Sequence, residues 1–317
     1  MLNILLLLVG FVALIFGASK LVDAASGLAA KFGIPNIVIG LTIVAFGTSA
    51  PEMVVNIIAA VNENTQMVLG NVLGSNIFNI LGILGISAII YPLAVKTNTT
   101  WYEIPLNLLA ALVVLVVCAD MFLTDGTQNY ISRSDAIVLL LFFTVFLVYT
   151  VAVSKSDKSV EKTEVKQYKT TTAVIFIFIG LAGLIVGGQL IVNSATSIAE
   201  QIGLSERVIG LTIVSIGTSL PELATSIVAV KKKNVDIAIG NVVGSNIFNV
   251  FFVLGVSAFI TPVNIAQNAF MDIFLNIAAG LLLFLFVFTG KYRQIDRWEG
   301  IVFLMIYLTY LIWLIGF

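Results

Sequence analysis

A short segment occurs twice in this chain, and both copies place a glutamate inside an apolar run. Residues 40–52 have the sequence GLTIVAFGTSAPE, and residues 210–222 have GLTIVSIGTSLPE. An ionisable residue at membrane depth costs about 2.5–3.5 kcal/mol on insertion scales, and such residues usually have a function. The proline before each glutamate removes one helical hydrogen bond. The two segments therefore predict an ion site built from two interrupted helices.

The composition places both segments in a membrane protein. Of the 317 residues, 59% are hydrophobic and 10% are charged, whereas a soluble domain carries about 25% charged residues. The chain has no histidine and a single cysteine, Cys118, which excludes a disulfide framework and a cysteine metal cluster. Oxygen ligands remain, and they favour hard cations such as Na⁺ and Ca²⁺. We expect no cofactor and no nucleic-acid partner, since the net charge is only −1.

The repeated segment belongs to an internal duplication with a constant shift of 170 positions. Nearly half of the positions from Gly10 to Pro92 are identical to those from Gly180 to Pro262. A second element, GNVLGSNIFN at residues 70–79, returns as GNVVGSNIFN at residues 240–249. A repeat of this length indicates that the chain consists of two related structural units.

The apolar runs predict an all-α membrane protein of ten transmembrane helices, five in each repeat, with broken helices at the midplane. The runs cover residues 2–29, 37–61, 67–90, 104–123, 135–153, 171–198, 207–230, 237–260, 270–289 and 299–316. The expected units are residues 1–153, a linker at 154–170, and residues 171–317. The first run also matches the apolar core of a signal peptide, but no Lys or Arg precedes it. Its counterpart in the second half favours a permanent helix.

The positive charges predict how the chain crosses the membrane. Fourteen of the sixteen Lys and Arg residues fall at connections that follow odd-numbered runs, and only Arg133 and Arg207 follow even-numbered runs. Positive charge is enriched on the cytoplasmic side. We therefore expect a multi-pass protein of the cell membrane with both termini extracellular. Because each repeat has an odd number of spans, the second repeat is expected to be inverted relative to the first.

Two interpretations of Ser49-x-x-Glu52 are possible. A serine followed three residues later by glutamate, with Pro51 between them, is also the capping signal of an ordinary helix start. At membrane depth, however, the interruption releases backbone carbonyls, here those of residues 45–48, and these need partners from protein, water or ions. We favour Glu52 and Glu222 as functional residues.

The second repeated element places polar side chains along one helix face. Asn71, Ser75 and Asn79 are spaced four residues apart, so they lie on the same side of a helix. The alternative is a helix-packing face of small residues with interhelical hydrogen bonds. That alternative leaves the clustering of oxygens near the glutamates in both repeats unexplained. We predict four ligands, Ser75, Asn79, Ser245 and Asn249. The other asparagines, Asn71, Asn76, Asn241 and Asn246, are expected to support them.

Together, GTSAPE/GTSLPE and GNVLGSNIFN/GNVVGSNIFN resemble the paired alpha repeats of the sodium/calcium exchanger family, within the cation/Ca²⁺ exchanger superfamily. The resemblance covers most of the second, third, seventh and eighth spans. The short linker is similar to that of the prokaryotic members, which lack a large calcium-sensing loop. The resemblance implies a membrane antiporter, not an enzyme, whose transported ions are Na⁺ and Ca²⁺.

The resemblance also implies a set of ion ligands. Glu52 and Glu222 would be the central carboxylates shared by both ions. The remaining ligands would be Thr48, Thr218, Ser49, Ser219, Ser75, Asn79, Ser245, Asn249 and the carbonyl of Ala45. The repeat equivalent of Ala45 is Ser215, where relatives carry alanine. Potassium-dependent relatives carry aspartate at the position of Asn249, so we expect exchange independent of K⁺.

The resemblance implies electrogenic exchange of three Na⁺ for one Ca²⁺ by alternating access. A proton/calcium exchanger would use the same carboxylates and remains an alternative, as does, less favourably, a cation channel. We also expect the first and sixth spans to slide across the remaining bundle. Their glycines (Gly10, Gly17, Gly180, Gly187 and Gly188) would provide the contact surfaces.

Overall fold

The computed structural model describes residues 2–119, 129–156, 168–201, 215–265, 269–289 and 293–316, and these residues are mostly helical. The helices are α1 (Leu2–Phe32), α2 (Asn36–Thr48), α3 (Ala50–Val61), α4 (Thr65–Ile90), α5 (Thr99–Val117), α6 (Arg133–Ser156), α7 (Thr170–Gln201), α8 (Ser215–Thr218), α9 (Leu220–Lys231), α10 (Val235–Ile260), α11 (Ala269–Thr289) and α12 (Arg297–Gly316). Four two-residue strands, absent from the sequence prediction, are β1 (Leu93–Ala94), β2 (Tyr130–Ile131), β3 (Val263–Asn264) and β4 (Gln294–Ile295).

Eight helices of the described ranges are long and apolar enough to cross a membrane, and the bent pair of α2 and α3 makes a ninth. The predicted seventh span begins in residues 202–214, outside the described residues, and its described part is α8 and α9. Most of the predicted linker also lies outside them. Helix α5 covers 99–117 rather than the predicted 104–123. Thr99, Thr100 and Glu103 are buried in protein, so hydropathy alone misses this first turn.

Helices α4 and α10, which carry the second repeated element, form the centre of the molecule. In each, 78% of the most apolar 18-residue window is buried, against 22% for α1. The close approach of α10 to α2 requires glycine, because a Cβ on Gly244 would lie 2.7 Å from the Cα and carbonyl oxygen of Leu41. The motif-bearing helices are therefore enclosed by the rest of the bundle.

The glycines of α1 and α7 have a different role from the predicted one. A Cβ on Gly10 would lie 2.9 Å from the Gly187 carbonyl oxygen, and one on Gly17 would lie 2.7 Å from the Gly180 carbonyl oxygen. These four glycines join α1 and α7 to each other instead of forming contacts with the bundle. Only Gly188 of the predicted set approaches a bundle helix, at 3.8 Å from Pro221. The two long helices therefore form a closely packed pair.

The connections between helices form two separate faces. On one, which we call the lysine-rich face, β1 pairs with β4 and Lys96 pairs with Asp236 at 2.7 Å. On the other, the lysine-poor face, β2 pairs with β3 and the Thr261 hydroxyl donates to the Ala60 carbonyl at 2.8 Å. Each sheet joins one strand from each half of the chain. The contacts thus place connections that follow odd-numbered spans on one face and connections that follow even-numbered spans on the other. A chain that crosses a membrane back and forth requires this grouping.

The turn after α1 follows the sequence prediction. Gly33 has a φ of 64°, and the N–H of Ile34 bonds to the Ala29 carbonyl at 2.9 Å. Glycine adopts this left-handed conformation without a Cβ penalty, and the following proline prevents continuation of the helix. The predicted equivalent turn at Gly203 and Ser205 lies outside the described residues.

Candidate cation site

The first repeated segment forms a bent helix. Helices α2 and α3 meet at Ser49 with a bend of 47°, because Pro51 has no N–H to offer the carbonyl of Gly47. The carbonyl of Ala45, predicted to be released, instead accepts the N–H of Ser49 at 2.9 Å. The loss of one helical hydrogen bond, the one that Pro51 cannot donate to the Gly47 carbonyl, is enough to bend the chain. Fewer backbone carbonyls are therefore freed than predicted.

The serine hydroxyls at the two interruptions bond across the molecule. Ser49 donates to Glu222 Oε1 at 2.7 Å, and Ser219 donates to Glu52 Oε1 at 2.9 Å. Ser49 makes no capping bond to its own helix. The capping interpretation is therefore wrong for its hydroxyl. Each glutamate, at most 1% exposed, is held by the other half of the chain.

Further hydroxyls surround the two carboxylates. Ser245 donates weakly to Glu222 Oε1 at 3.4 Å and to the Ala45 carbonyl at 3.5 Å. The hydroxyl of Thr48 interacts with Glu222, and that of Thr218 interacts with Glu52. The structure thus brings most of the predicted ligands of the broken helices together around one buried pair of carboxylates.

The asparagines of α4 and α10 form a symmetrical hydrogen-bonded network. Asn79 Nδ2 donates to Asn246 Oδ1 at 2.9 Å, and Asn249 Nδ2 donates to Asn76 Oδ1 at 3.2 Å. Asn76 and Asn246 also donate to each other's backbone carbonyl, at 3.2 and 3.3 Å. The predicted supporting role of Asn76 and Asn246 has a geometric basis, because they bind the amino groups of Asn79 and Asn249 and leave the amide oxygens available.

Wider helical turns include the two predicted asparagine ligands, Asn79 and Asn249. The helix has π geometry at Phe78–Leu84 in α4 and at Asn249–Leu254 in α10. Such turns add a residue to the helical circuit and occur often at functional sites. A π turn rotates the following side chains to a different side of the helix. Residues beyond it therefore no longer share the helix face of the motif's four-residue spacing.

Several buried oxygens at this centre have no hydrogen-bond partner within the described structure. They are Glu52 Oε2, Glu222 Oε2, Ser75 Oγ, Asn79 Oδ1 and Asn249 Oδ1. All five belong to the predicted ligand set. Leaving a buried polar atom unpaired costs about 1–3 kcal/mol. Carboxylate, amide and hydroxyl oxygens together are the donor set that hard cations prefer.

The other predicted residues support the site or lie at the edge of the described structure. Asn241 accepts the Thr48 hydroxyl at 3.1 Å and donates to the Glu222 carbonyl at 3.2 Å. Asn71 donates to Asn56 at 2.7 Å, away from the glutamates. Ser215 begins α8, and its side chain lies outside the described structure.

A cavity of about 410 Å³ leads toward this centre from the lysine-poor face of the described structure. Its wall includes Asn64, Gln66, Gly70, Asn71, Gly74, Thr218 and Asp272. The repeat equivalents on the other side are packed: Thr48 and Asn241 are 0% exposed, and a Cβ on Gly240 would lie 2.8 Å from the Ile37 carbonyl oxygen. By contrast, no described residue lies within 4 Å of a Cβ on Gly70 or Gly74. The repeat equivalents of Ile37 and Leu41, which are Arg207 and Leu211, lie outside the described residues. Within the described residues, the two halves therefore differ in access, although nearly half of the positions from Gly10 to Pro92 are identical to their repeat equivalents.

Two carboxylates near the site were missed by the sequence prediction. Glu103 accepts the Tyr149 hydroxyl at 2.6 Å, and Asp272 accepts the Tyr310 hydroxyl at 2.8 Å. A one-residue gap after Pro92 aligns WYEIPLNLLAA at 101–111 with FMDIFLNIAAG at 270–280, which pairs Glu103 with Asp272. The constant shift of 170 hid this equivalence.

The described residues contain no group of three His, Cys, Asp or Glu side chains that could hold a metal ion. The centre therefore depends on two carboxylates and neutral oxygens. Such a set differs from the rigid, charge-rich cages of permanently bound metals. It is suited to cations that bind and leave.

Comparisons with known proteins agree with this arrangement. The model of the family "Sodium/calcium exchanger protein" matches residues 2–152 and 172–316. The putative antiporter CaxA of Alkalimonas amylolytica is 40% identical and covers 96% of this chain and 95% of its own length. The sodium/calcium exchanger MaX1 of Methanosarcina acetivorans is 31% identical, with coverage of 98% and 97%.

Solved structures give the same result. A structure of the sodium-calcium exchanger NCX_Mj superposes with a TM-score of 0.83 and 32% identity, and 97% of each chain is covered. A second NCX_Mj structure, at another Na⁺ concentration, also has a TM-score of 0.83, with 33% identity. The fold match and the family match both extend over nearly the whole chain. The chain therefore belongs to the sodium/calcium exchanger family of membrane antiporters.

Proposed function

We propose that this protein exchanges Na⁺ for Ca²⁺ as a secondary antiporter. The observation that carries the proposal is the set of five buried oxygens, contributed by both halves, that have no hydrogen-bond partner among the described residues. A bound cation would repay their desolvation and would screen the repulsion between Glu52 and Glu222. The names of MaX1 and NCX_Mj support Na⁺ and Ca²⁺ as the exchanged pair.

We assign the ligands as follows. Glu52 and Glu222 bind Ca²⁺ and Na⁺ in turn, and Ser75, Asn79, Ser245 and Asn249 complete the coordination around them. Thr48, Thr218, Ser49, Ser219, the Ala45 carbonyl and its repeat equivalent Ser215 extend it toward the outer sodium positions. The Ala45 carbonyl accepts the Ser49 N–H at 2.9 Å and lies 3.2 and 3.5 Å from the hydroxyls of Thr48 and Ser245, so a cation bound there would replace the two longer hydroxyl contacts.

The charge of the site sets the expected energetics. Two carboxylates balance one Ca²⁺, whereas three Na⁺ leave one net positive charge. One charge moved through the membrane contributes about 2.3 kcal/mol per 100 mV. Exchange is therefore expected to be electrogenic. Asparagine at 249 keeps the centre at two carboxylates, which is the basis for expecting independence from K⁺.

The unequal access supports alternating access between two inverted repeats of five spans, residues 1–153 and 171–317, joined by the linker 154–170. The structure has the cavity on one side and packed repeat equivalents on the other. Exchange of these two packings would close the present cavity and open its counterpart. The positive charges place the lysine-rich face in the cytoplasm, so the present cavity would face outward, as would both termini.

Radiolabelled Ca²⁺ uptake into Na⁺-loaded proteoliposomes tests the proposal. Wild type is compared with Glu52→Gln and Glu222→Gln under outward Na⁺, outward H⁺ or no gradient, with and without K⁺. We expect uptake that requires the Na⁺ gradient, ignores K⁺ and is lost in both variants. Ser87→Ala serves as the matched control, because Ser87 is fully buried and its hydroxyl also has no partner in the described structure.

Each alternative has a separate result. Uptake driven equally by a proton gradient would identify a proton/calcium exchanger. Ca²⁺ flux that needs no counter-ion would identify a channel and contradict the antiport mechanism.

A further inference from the structure

Each half of the molecule has a second buried carboxylate, and neither belongs to the central site. Glu103 and Asp272 occupy equivalent positions in the first turns of α5 and α11 once the one-residue gap is allowed. Both are bonded to a tyrosine of the following long helix. Burial of a carboxylate in an apolar surrounding is costly. A tyrosine hydrogen bond alone gives no reason for retaining that cost in both halves.

Asp272 lies in the wall of the cavity that leads to the centre. It shares this wall with Thr218, whose hydroxyl interacts with Glu52. The Tyr310 hydroxyl binds Asp272 Oδ1 and fixes the side chain. Asp272 thus places a negative charge on the path between the lysine-poor face and the central carboxylates. Charge in a narrow cleft with low-dielectric walls raises the local concentration of counter-ions.

Glu103 has the equivalent position on the packed side. It is 0% exposed, and its Oε2 atom has no hydrogen-bond partner among the described residues. Asp236, which interacts electrostatically with Glu103, is paired with Lys96 at 2.7 Å. The repeat equivalent of Asp236 is Gln66, which lines the open cavity. Glu103 is therefore enclosed by protein, whereas the equivalent Asp272 lines a cavity.

We propose that Asp272 and Glu103 are vestibule carboxylates, one for each side of the membrane, that bind the incoming cation before it passes to Glu52 and Glu222. Asp272 acts in the present arrangement, and Glu103 acts when the lysine-rich side opens and the Lys96–Asp236 pair separates. This inference rests on the proposed cation exchange. It assigns the first contact of Ca²⁺ or Na⁺ on each side to a single carboxylate.

The test uses right-side-out and inverted membrane vesicles, which present opposite faces to the added Ca²⁺. Asp272→Asn is expected to raise the KM for Ca²⁺ about fivefold in the preparation that presents the lysine-poor face, with little change in maximal rate, since loss of a focusing charge slows cation capture. Glu103→Gln should raise the KM in the opposite preparation only. Both effects should shrink at high ionic strength because charge interactions are screened.

Control variants separate charge from structure. Asp272→Glu should restore the wild-type KM because it keeps the charge, and Tyr310→Phe should leave the KM within about twofold because it keeps the carboxylate, as expected for a modest hydrogen bond. An unchanged KM in Asp272→Asn, or an equal change in both preparations, would overturn the inference. Wild-type exchange measured in the same vesicles tests the proposed function itself. Absence of wild-type exchange would contradict the proposed function, whereas normal wild-type exchange with an unchanged KM in Asp272→Asn would contradict only the vestibule inference.

Discussion

At the scale of single residues, the two interrupted helices depend on each other through their serines. Ser49 binds Glu222, and Ser219 binds Glu52, across sequence separations of 173 and 167 residues. A hydrogen bond to a charged group contributes about 1.5–3 kcal/mol. The partners come from opposite halves of the chain. Each serine therefore positions the carboxylate of the glutamate in the other half.

We therefore expect Ser49→Ala and Ser219→Ala to weaken Ca²⁺ binding by similar factors, each about tenfold, which corresponds to about 1.4 kcal/mol. The measurement is a Ca²⁺ titration of the purified protein by calorimetry. Ser87→Ala is the control and should leave the affinity unchanged. A large loss in only one serine variant would contradict the equivalence of the two crossed bonds.

The sequence predicted which residues meet at the centre, but not how they are arranged. The glutamates, serines and asparagines were identified because polar residues stand out in apolar runs and recur at one shift. The capping interpretation of Ser49 and the release of the Ala45 carbonyl were inferred from local rules. The Ser49 hydroxyl binds Glu222 of the other half, a contact that local rules do not include. The Ala45 carbonyl keeps a local bond from the Ser49 N–H, because only one helical hydrogen bond is lost at Pro51.

At the scale of helices, the repeated glycines have opposite environments in the two halves. Gly244 is in tight contact with Leu41 of α2, whereas its equivalent Gly74 faces the cavity. In the exchanged arrangement Gly74 would take on the close contact that Gly244 has now. Under the proposed alternating access, glycine at both positions would permit close helix packing first on one side and then on the other.

Alanine substitutions distinguish the two glycines. Gly244→Ala should destabilise the present arrangement by about 1–3 kcal/mol, since added volume in a packed contact is costly. Gly74→Ala should leave its stability unchanged or slightly raised, because alanine favours helix, yet should slow exchange about tenfold or more. Thermal unfolding and Ca²⁺ flux of the purified, reconstituted variants measure both effects. Equal loss of stability in the two variants would argue against the exchanged packing.

Two features of the helices escaped the sequence prediction for physical reasons. Hydropathy missed the start of α5, because Glu103 and its neighbours are polar but face protein. The π turns at Phe78–Leu84 and Asn249–Leu254 have no composition signal. They include Asn79 and Asn249, which are buried at the centre of the bundle.

At the scale of the whole molecule, the proposed exchange moves charge as well as ions. One net positive charge per cycle makes the final Ca²⁺ gradient depend on membrane potential. A change of about 60 mV corresponds to about 1.4 kcal/mol per charge and should alter the equilibrium Ca²⁺ ratio about tenfold. Potentials set with a K⁺ ionophore in proteoliposomes measure this, and vesicles clamped at zero potential are the control. A ratio independent of potential would indicate electroneutral exchange.

The sequence by itself determined the membrane class, the duplication, the helical fold and the polar residues of the centre. Hydropathy, repeat spacing and buried charge are properties of short segments, so they can be recognised without the fold. Only the tertiary structure decided that Ser49 binds Glu222, that Glu103 and Asp272 are equivalent in environment, and that the cavity lies on one side. The repeated segments of the two halves share their motifs and therefore have similar local preferences. Their difference in access arises from the packing of one half against the other.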